Sequence, residues 1–241
     1  MEIIWQEQVL NAWRSSQQQG RPPHALMLTG GAGTGKRCAA AWLARPRLGM
    51  PVTDKPEYPL SVPEHADLRW ITCPEDKFSI GIEQVRELVA ALSLTSYEGG
   101  GKVAVIEPAD AMTHSAANSL LKTLEEPPGD TLLILVVDRP GRLPATIVSR
   151  CQRLNVHLPS EATGLAWLQA LQPGTDWAPV LRDAGLAPLA AIAALERVEE
   201  TNALAAEFRA VAEGVAAPLP IAAKWAKLEP EFVLAWLARQ I

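Results

Sequence analysis

The sequence predicts an α/β fold: a parallel sheet covered by helices on both faces, followed by an all-helical region. Three observations carry this. Short, continuously apolar runs alternate with amphipathic segments from about residue 24 to 157, the pattern of doubly covered strands joined by crossover helices. The first of these runs, "HALMLTG" (24–30), feeds the glycine-rich "GGAGTGKRCA" (31–40) and then an alanine-rich helix. That is the strand, loop and helix context a phosphate-cradling loop requires. After about residue 158 the β-branched runs stop and Ala and Leu dominate.

Taken in order, Ile4, Trp5, Val9, Leu10 and Trp13 recur at helical spacing, ahead of the polar break "SSQQQGRPP". "HALMLTG" is the first strand, and "KRCAAAWLA" (36–44) is the helix after the loop. Residues 45–66 are rich in proline and read as an ordered surface excursion, and "DLRWITC" (67–73) is a strand. In "IGIEQVRELVAALSL" (80–94), Ile82, Val85, Leu88, Val89 and Leu92 share one helical face. A glycine turn leads to a buried strand at 102–106. The helix "SAANSLLKTLEEPP" then turns Ala116, Leu120, Leu121 and Leu124 inward and is closed by Pro127 and Pro128. "DTLLILVVDRP" is another apolar strand, and "LPATIVSRCQRLNV" is a short helix running into the last one. Beyond it come helices interrupted at Pro173, Pro188 and Pro218. The expected domains are 1–157 (the sheet), 158–197 (a small helical lid) and 198–241 (a further helical domain).

Composition narrows the function. With 241 residues and 48% hydrophobic side chains the chain can bury a substantial core. The opening "MEIIWQEQ" has neither a basic start nor an apolar core, so no secretory signal is expected. The longest apolar runs are too short to span a membrane. Cys38, Cys73 and Cys151 are dispersed, neither a zinc spacing nor an even disulfide set; a cytoplasmic protein is expected. His24, His65, His114 and His157 are equally scattered, and no metal site is assigned. A net charge of −5 argues against a free-standing nucleic-acid binder. The tryptophans follow leucine-rich helical spacing (Trp167 with Leu168, Trp236 with Leu237), which suits packing rather than base stacking.

The glycine-rich stretch, with Gly30 in front, fits G-x-x-x-x-G-K-[ST] through Gly30, Gly33 (inside the pattern), Gly35 and Lys36, and fails at its last position, Arg37. In such a loop backbone N–H groups wrap a phosphate at a helix N-terminus, the lysine reaches the β- and γ-phosphates, and the hydroxyl holds magnesium. Arg37 cannot ligate the metal, and a cation in the first helical turn costs about 0.3–1 kcal/mol unless an anion lies nearby. The strand that should end in a metal-shell acid and a water-aligning acid offers Glu107 and then Pro108, with Asp110 at the wrong step. Glu125 and Glu126 diverge by about 100° on a helix and make no acid/base pair.

"SAANSLLKTLEEPP" together with "LPATIVSRCQRL" resembles the AAA+ modules of bacterial DNA polymerase III clamp-loader subunits, over roughly residues 3–197. The resemblance implies an AAA+ sheet domain, a helical lid and the start of a helical collar. The family's motor subunits (gamma/tau) keep an intact phosphate loop, an Asp-Glu pair, a sensor-1 threonine and a sensor-2 arginine. Here Arg37, Glu107-Pro108, "VVD" (136–138) and "AGLAPLAA" (184–191) stand in those places, departures that resemble the non-hydrolysing delta-prime subunits. The family's four-cysteine zinc module would fall within 45–66, where no cysteine occurs, so no structural zinc is expected; the departures at Arg37 and Glu107-Pro108 are the ground for expecting no bound ATP. Lys36 could still hold a stray phosphate.

In this family the arginine of the SRC motif, here Arg150, reaches the ATP site of a neighbouring motor subunit as a finger in trans; Ser149 orients the turn and Cys151 packs. Without the resemblance, Arg150 reads as a surface or interface ion-pairing residue. The implied function is a clamp-loader component of the DNA polymerase III holoenzyme without catalysis of its own. Its implied partners are motor and delta subunits and, through the complex, the sliding clamp and primed DNA. The opposing reading is an autonomous P-loop ATPase using Lys36 with Glu107. About 45 residues follow the lid where the resemblance implies a longer collar, and the apolar face is unfinished at Ile241; either the sequence is a truncated piece or the subunit is unusually short, and a truncated piece is expected to load clamps poorly.

Overall fold

A computed structural model describes residues 1–18, 23–97 and 99–238. Contacts divide the chain into two units, Met1–Ala190 and Ala191–Ile241. The first is built on five parallel strands: β1 (Ala25–Thr29), β2 (Leu68–Ile71), β3 (Lys102–Ile106), β4 (Thr131–Val137) and β5 (Gln152–Asn155). Their order is β2-β3-β4-β1-β5. Helices α1 (Glu7–Gln18), α2 (Lys36–Arg47), α3 (Ile82–Ser93), α4 (His114–Glu125) and α5 (Ala145–Val148) cover the sheet. Then come α6 (Glu161–Leu171), α7 (Trp177–Asp183) and α8 (Pro188–Glu196), whose first turn closes the first unit.

The apolar runs are strands because both of their faces are buried. Alternate residues of β4 go to opposite cores: Leu132, Ile134 and Val136 pack with α1 and α2, while Leu133, Leu135 and Val137 pack with α3, α4 and α5. β1, β3 and β4 are buried throughout, whereas the edge strands β2 and β5 keep exposed positions. On α3, Val85, Leu88 and Leu92 point into the core and Ile82 and Val89 flank it. Thr113 caps α4, its hydroxyl accepting the Ala116 N–H at 3.2 Å.

Two expectations shift. The N-terminal helix starts at Glu7, so Ile4 and Trp5 precede it; Ile3 is the fully buried residue there and Ile4 is exposed. It also continues through Ser15–Gln18, the start of the polar break, whose residues 19–22 lie outside the described residues. Helix α2 runs past Ala44 to Arg47 with Pro46 in its last turn. There the Leu48 N–H returns to the carbonyls of Ala44 and Arg45, and Leu48 is buried.

The proline-rich excursion is ordered by backbone contacts. Trp42 Nε1 donates to Thr53 O at 2.7 Å, Arg14 Nη2 to Asp54 O at 3.0 Å, and the Ile3 N–H to Pro56 O at 2.7 Å. Trp167 lies within α6, 2% exposed, edge-on to Trp5 and Tyr58, and donates to Glu2 O at 2.7 Å.

The second unit contains α9 (Val198–Ala212), α10 (Pro218–Trp225) and α11 (Pro230–Leu237). Leu204, Val233 and Trp236 form its core, with Phe208 and Trp225 edge-on to Trp236. Hydrogen bonds from Lys224 and then Trp225 hold the Glu207 carboxyl below its ordinary range. The end of the predicted collar face, at Ile241, lies outside the described residues. No single helix among the described residues is long and apolar enough to cross a membrane.

Candidate functional site

The strand order reverses at β1, which lies between β4 and β5. The loop leaving its C-terminal end therefore sits where open α/β sheets bind ligands. The chain itself clasps this loop on three sides. A side chain at Gly30 would meet Val156 O at 2.4 Å. At Gly33 (φ +74°) it would meet Ala190 Cβ and N at 2.5 Å, and at Gly35 it would meet Gln6 Nε2 at 2.6 Å. Gln6 Nε2 donates to Thr34 O and Gly35 O, Trp5 Nε1 also donates to Thr34 O, and the Leu189 N–H donates to Gly33 O. The stretch "AGLAPLAA", without a sensor-2 arginine, thus brings the start of α8 onto the loop.

The charged groups pair internally. Lys36 is 4% exposed; its Nζ donates to Gly30 O at 2.9 Å and Gly31 O at 2.6 Å and forms an ion pair with Asp138 Oδ1 at 2.6 Å. Three partners match the three protons of an ammonium, and a buried cation needs them. Asp138 follows β4 directly, and its N–H donates to Asp110 Oδ1 at 3.0 Å. Asp110 is buried and pairs with Arg139 at 3.7 Å. Beside this, Arg37 Nε meets Glu107 Oε1 at 2.5 Å, and Glu107 Oε2 accepts from Trp70 Nε1 at 2.9 Å. The two positions that depart from the nucleotide pattern, Arg37 and Glu107, are each other's partners. The set offers a magnesium nucleotide no hydroxyl ligand after Lys36: Arg37 stands there, and its guanidinium pairs with Glu107.

Arg150 lies elsewhere. The strands are parallel and Leu26 pairs with Gln152, so Arg150 stands at the entry edge of the sheet while the loop stands at the exit edge. The length of β1 separates them, roughly 13 Å at about 3.3 Å per residue. The Arg150 side chain is 34% exposed. Its Nε donates to Glu125 Oε1 at 2.8 Å, Nη2 pairs with the same carboxylate, and Nη1 donates to Thr146 O at 3.0 Å. Ser149 Oγ lies 3.4 Å from Nη1. Cys151 packs against the core, and burial pushes its thiol up to about 12. Cys38 is buried in α2, and desolvation pushes it up to about 11 against the opposing effect of Arg37.

Gly30, Gly33, Gly35 and Lys36 therefore form one cluster, and Arg150 does not join it. The sequence reading missed four participants: Asp138 on Lys36, Gln6 on the loop, Trp70 on Glu107 and Glu125 on Arg150. Charge complementarity between Arg37 and Glu107 was the available signal for the inner pair. Nothing local marks Gln6, which arrives from before α1. Among the described residues no three His, Cys, Asp or Glu side chains converge to hold a metal ion.

A parallel sheet with this loop after β1, helices on both faces and helices following it is an AAA+ α/β module. Its fold matches that of a DNA polymerase III gamma subunit-related protein from Thermotoga maritima (TM-score 0.55, 20% identity, 96% of this chain and 77% of that one). Residues 5–160 match the family described as DNA polymerase III, delta subunit, and the chain belongs to that family. It is 38% identical to the DNA polymerase III subunit delta' of Pseudomonas aeruginosa, over 70% of this chain and 53% of that protein. It is 29% identical to the DNA polymerase III subunit tau of Bacillus subtilis, over 64% of this chain and 28% of that protein. The chain spans about half the length of the delta' relatives it matches.

Proposed function

We propose that the chain serves as a delta-prime-type clamp-loader subunit of DNA polymerase III that does not hydrolyse ATP and lends Arg150 to a neighbouring motor subunit. The observation that carries this is the Arg37–Glu107 pair. Arg37, half-exposed, pairs with the acid that a magnesium shell would need, which supports reading the hydrolytic half of the site as closed by a bond within the chain. Arg150 supports the second half. It stands at the sheet edge opposite its own loop, beyond reach of a phosphate held there, and a planar, always charged fork suits a γ-phosphate on a neighbouring molecule.

In this reading the sheet domain (1–157) and lid (158–197) form a stiff arm, and residues 198–241 begin the collar. The partners are the gamma/tau and delta subunits and, through them, the sliding clamp and primed DNA in the cytoplasm. The chain itself uses neither zinc nor ATP. The test is ATP turnover by the motor subunit with clamp and primed DNA, comparing the chain with its Arg150→Ala and Arg150→Lys variants. A finger contributes about 10³–10⁵ in rate at the site it serves. Both variants should therefore lose the turnover that depends on this chain, since lysine lacks the fork. Equal turnover would remove the trans role. Magnesium-dependent ATP splitting by the purified chain, abolished by Lys36→Ala, would favour the autonomous ATPase instead.

A further inference from the structure

If the loop turns over no nucleotide, its buried lysine still has to be explained, because an unpaired ammonium in a dry site is strongly destabilising. The pairing register supplies the answer. Thr29 of β1 lies opposite Val137 of β4, so the next residues, Gly30 and Asp138, leave the sheet side by side. The Asp138 carboxylate arrives 2.6 Å from Lys36 Nζ, the atom that would reach a phosphate. It is aimed from behind: Asp110, itself held by Arg139, accepts the Asp138 N–H. The lysine end of the pair is 4% exposed and the aspartate end 40%, so the Asp138 carboxylate lies on the solvent side of the buried ammonium, between it and any anion arriving from outside.

We infer that Asp138 is a tethered anion that occupies the phosphate position of the loop, an autoinhibitory contact built into the strand register. A group fixed this close competes at an effective concentration on the order of millimolar or above, enough to exclude weakly held phosphates. The anion-holding parts, Lys36 and the N-terminus of the twelve-residue α2, persist behind it. Removing the carboxylate turns the closed loop into a site for a phosphate-class anion. The inference rests on the reading of the loop as non-hydrolytic and adds what keeps it empty. It needs no metal, because the magnesium half is closed separately by Arg37 and Glu107.

The experiment uses the full chain and inorganic pyrophosphate without magnesium, by equilibrium dialysis and by thermal unfolding with and without the anion. Asp138→Ala should bind pyrophosphate at least about tenfold more tightly than the parent chain, a difference of about 1.4 kcal/mol. Binding should vanish in Asp138→Ala/Lys36→Ala. Asp138→Asn, which keeps the shape and removes the charge, gives the same comparison if the alanine variant is poorly folded. Folded variants that bind no better than the parent overturn the inference, as does binding that survives loss of Lys36. ATP turnover by the parent chain would instead overturn the non-hydrolytic reading, so the two failures are distinct.

Discussion

Replacing Gly33 by alanine asks why this loop keeps its glycines. Gly33 has φ +74°, a left-handed conformation that costs an L-residue about 1–2 kcal/mol. The added methyl would lie 2.5 Å from both Cβ and N of Ala190, so the start of α8 must move. That strains the bond from the Leu189 N–H to Gly33 O, worth about 1 kcal/mol. The reduced freedom of the unfolded chain offsets about 0.4–1 kcal/mol. The expected net loss is about 1–2.5 kcal/mol. Urea unfolding followed by tryptophan fluorescence should show the midpoint falling by at least about 0.3 M, at a slope of about 1–3 kcal/mol per M. Gly31→Ala is the control: nothing lies within 4 Å of its Cβ position, and its midpoint should hardly move. If Gly33→Ala matches that control without any added ligand, the loop's glycines are not held by packing against the protein, and the argument for a self-filled loop fails with it.

Two further outcomes follow from the packing of the first unit. Trp167→Ala should destabilise the first unit by about 3–5 kcal/mol, the cost of an emptied aromatic site. Trp167→Phe should lose about 1–3 kcal/mol, mainly through the bond to Glu2 O; a neutral phenylalanine variant in urea unfolding would contradict the packing described. Cys38 and Cys151 should resist iodoacetamide between pH 7 and 9. Their thiols titrate upward, to about 11 and about 12, so the reactive thiolate is scarce throughout that range and grows only as pH rises. Rapid carboxymethylation of either at pH 8, read by mass spectrometry of the folded chain, would refute this.

The sheet was readable because its signal is local: "TLLILVV" is apolar at every position, and only a strand covered on both sides uses all seven. Helix limits were less legible where tertiary contacts decide. Leu48 packing carries α2 past the expected stop, and Glu7 rather than Ile4 starts the first helix although the apolar spacing begins earlier. The loop was recognisable from glycine and lysine spacing, but its filling was not. Asp138 lies about a hundred residues from Lys36 and becomes its neighbour only through the β1–β4 register. Glu125 is similar. Its place at a helix end ahead of prolines is legible in the sequence, and α4 does end there, yet its role as Arg150's partner depends on how α4 and α5 meet.

The opposite placement of the loop and Arg150 gives the molecule a polarity that matters in a row of related modules. A protomer that receives at one end of its sheet and gives at the other stacks head to tail, which is a heterologous contact and not a two-fold one. Under the proposed function, this chain can give but has nothing to receive for. On that proposal its place would be a terminus of the row, where a closed receiving end would leave no catalytic site wasted and would mark where the succession of sites stops.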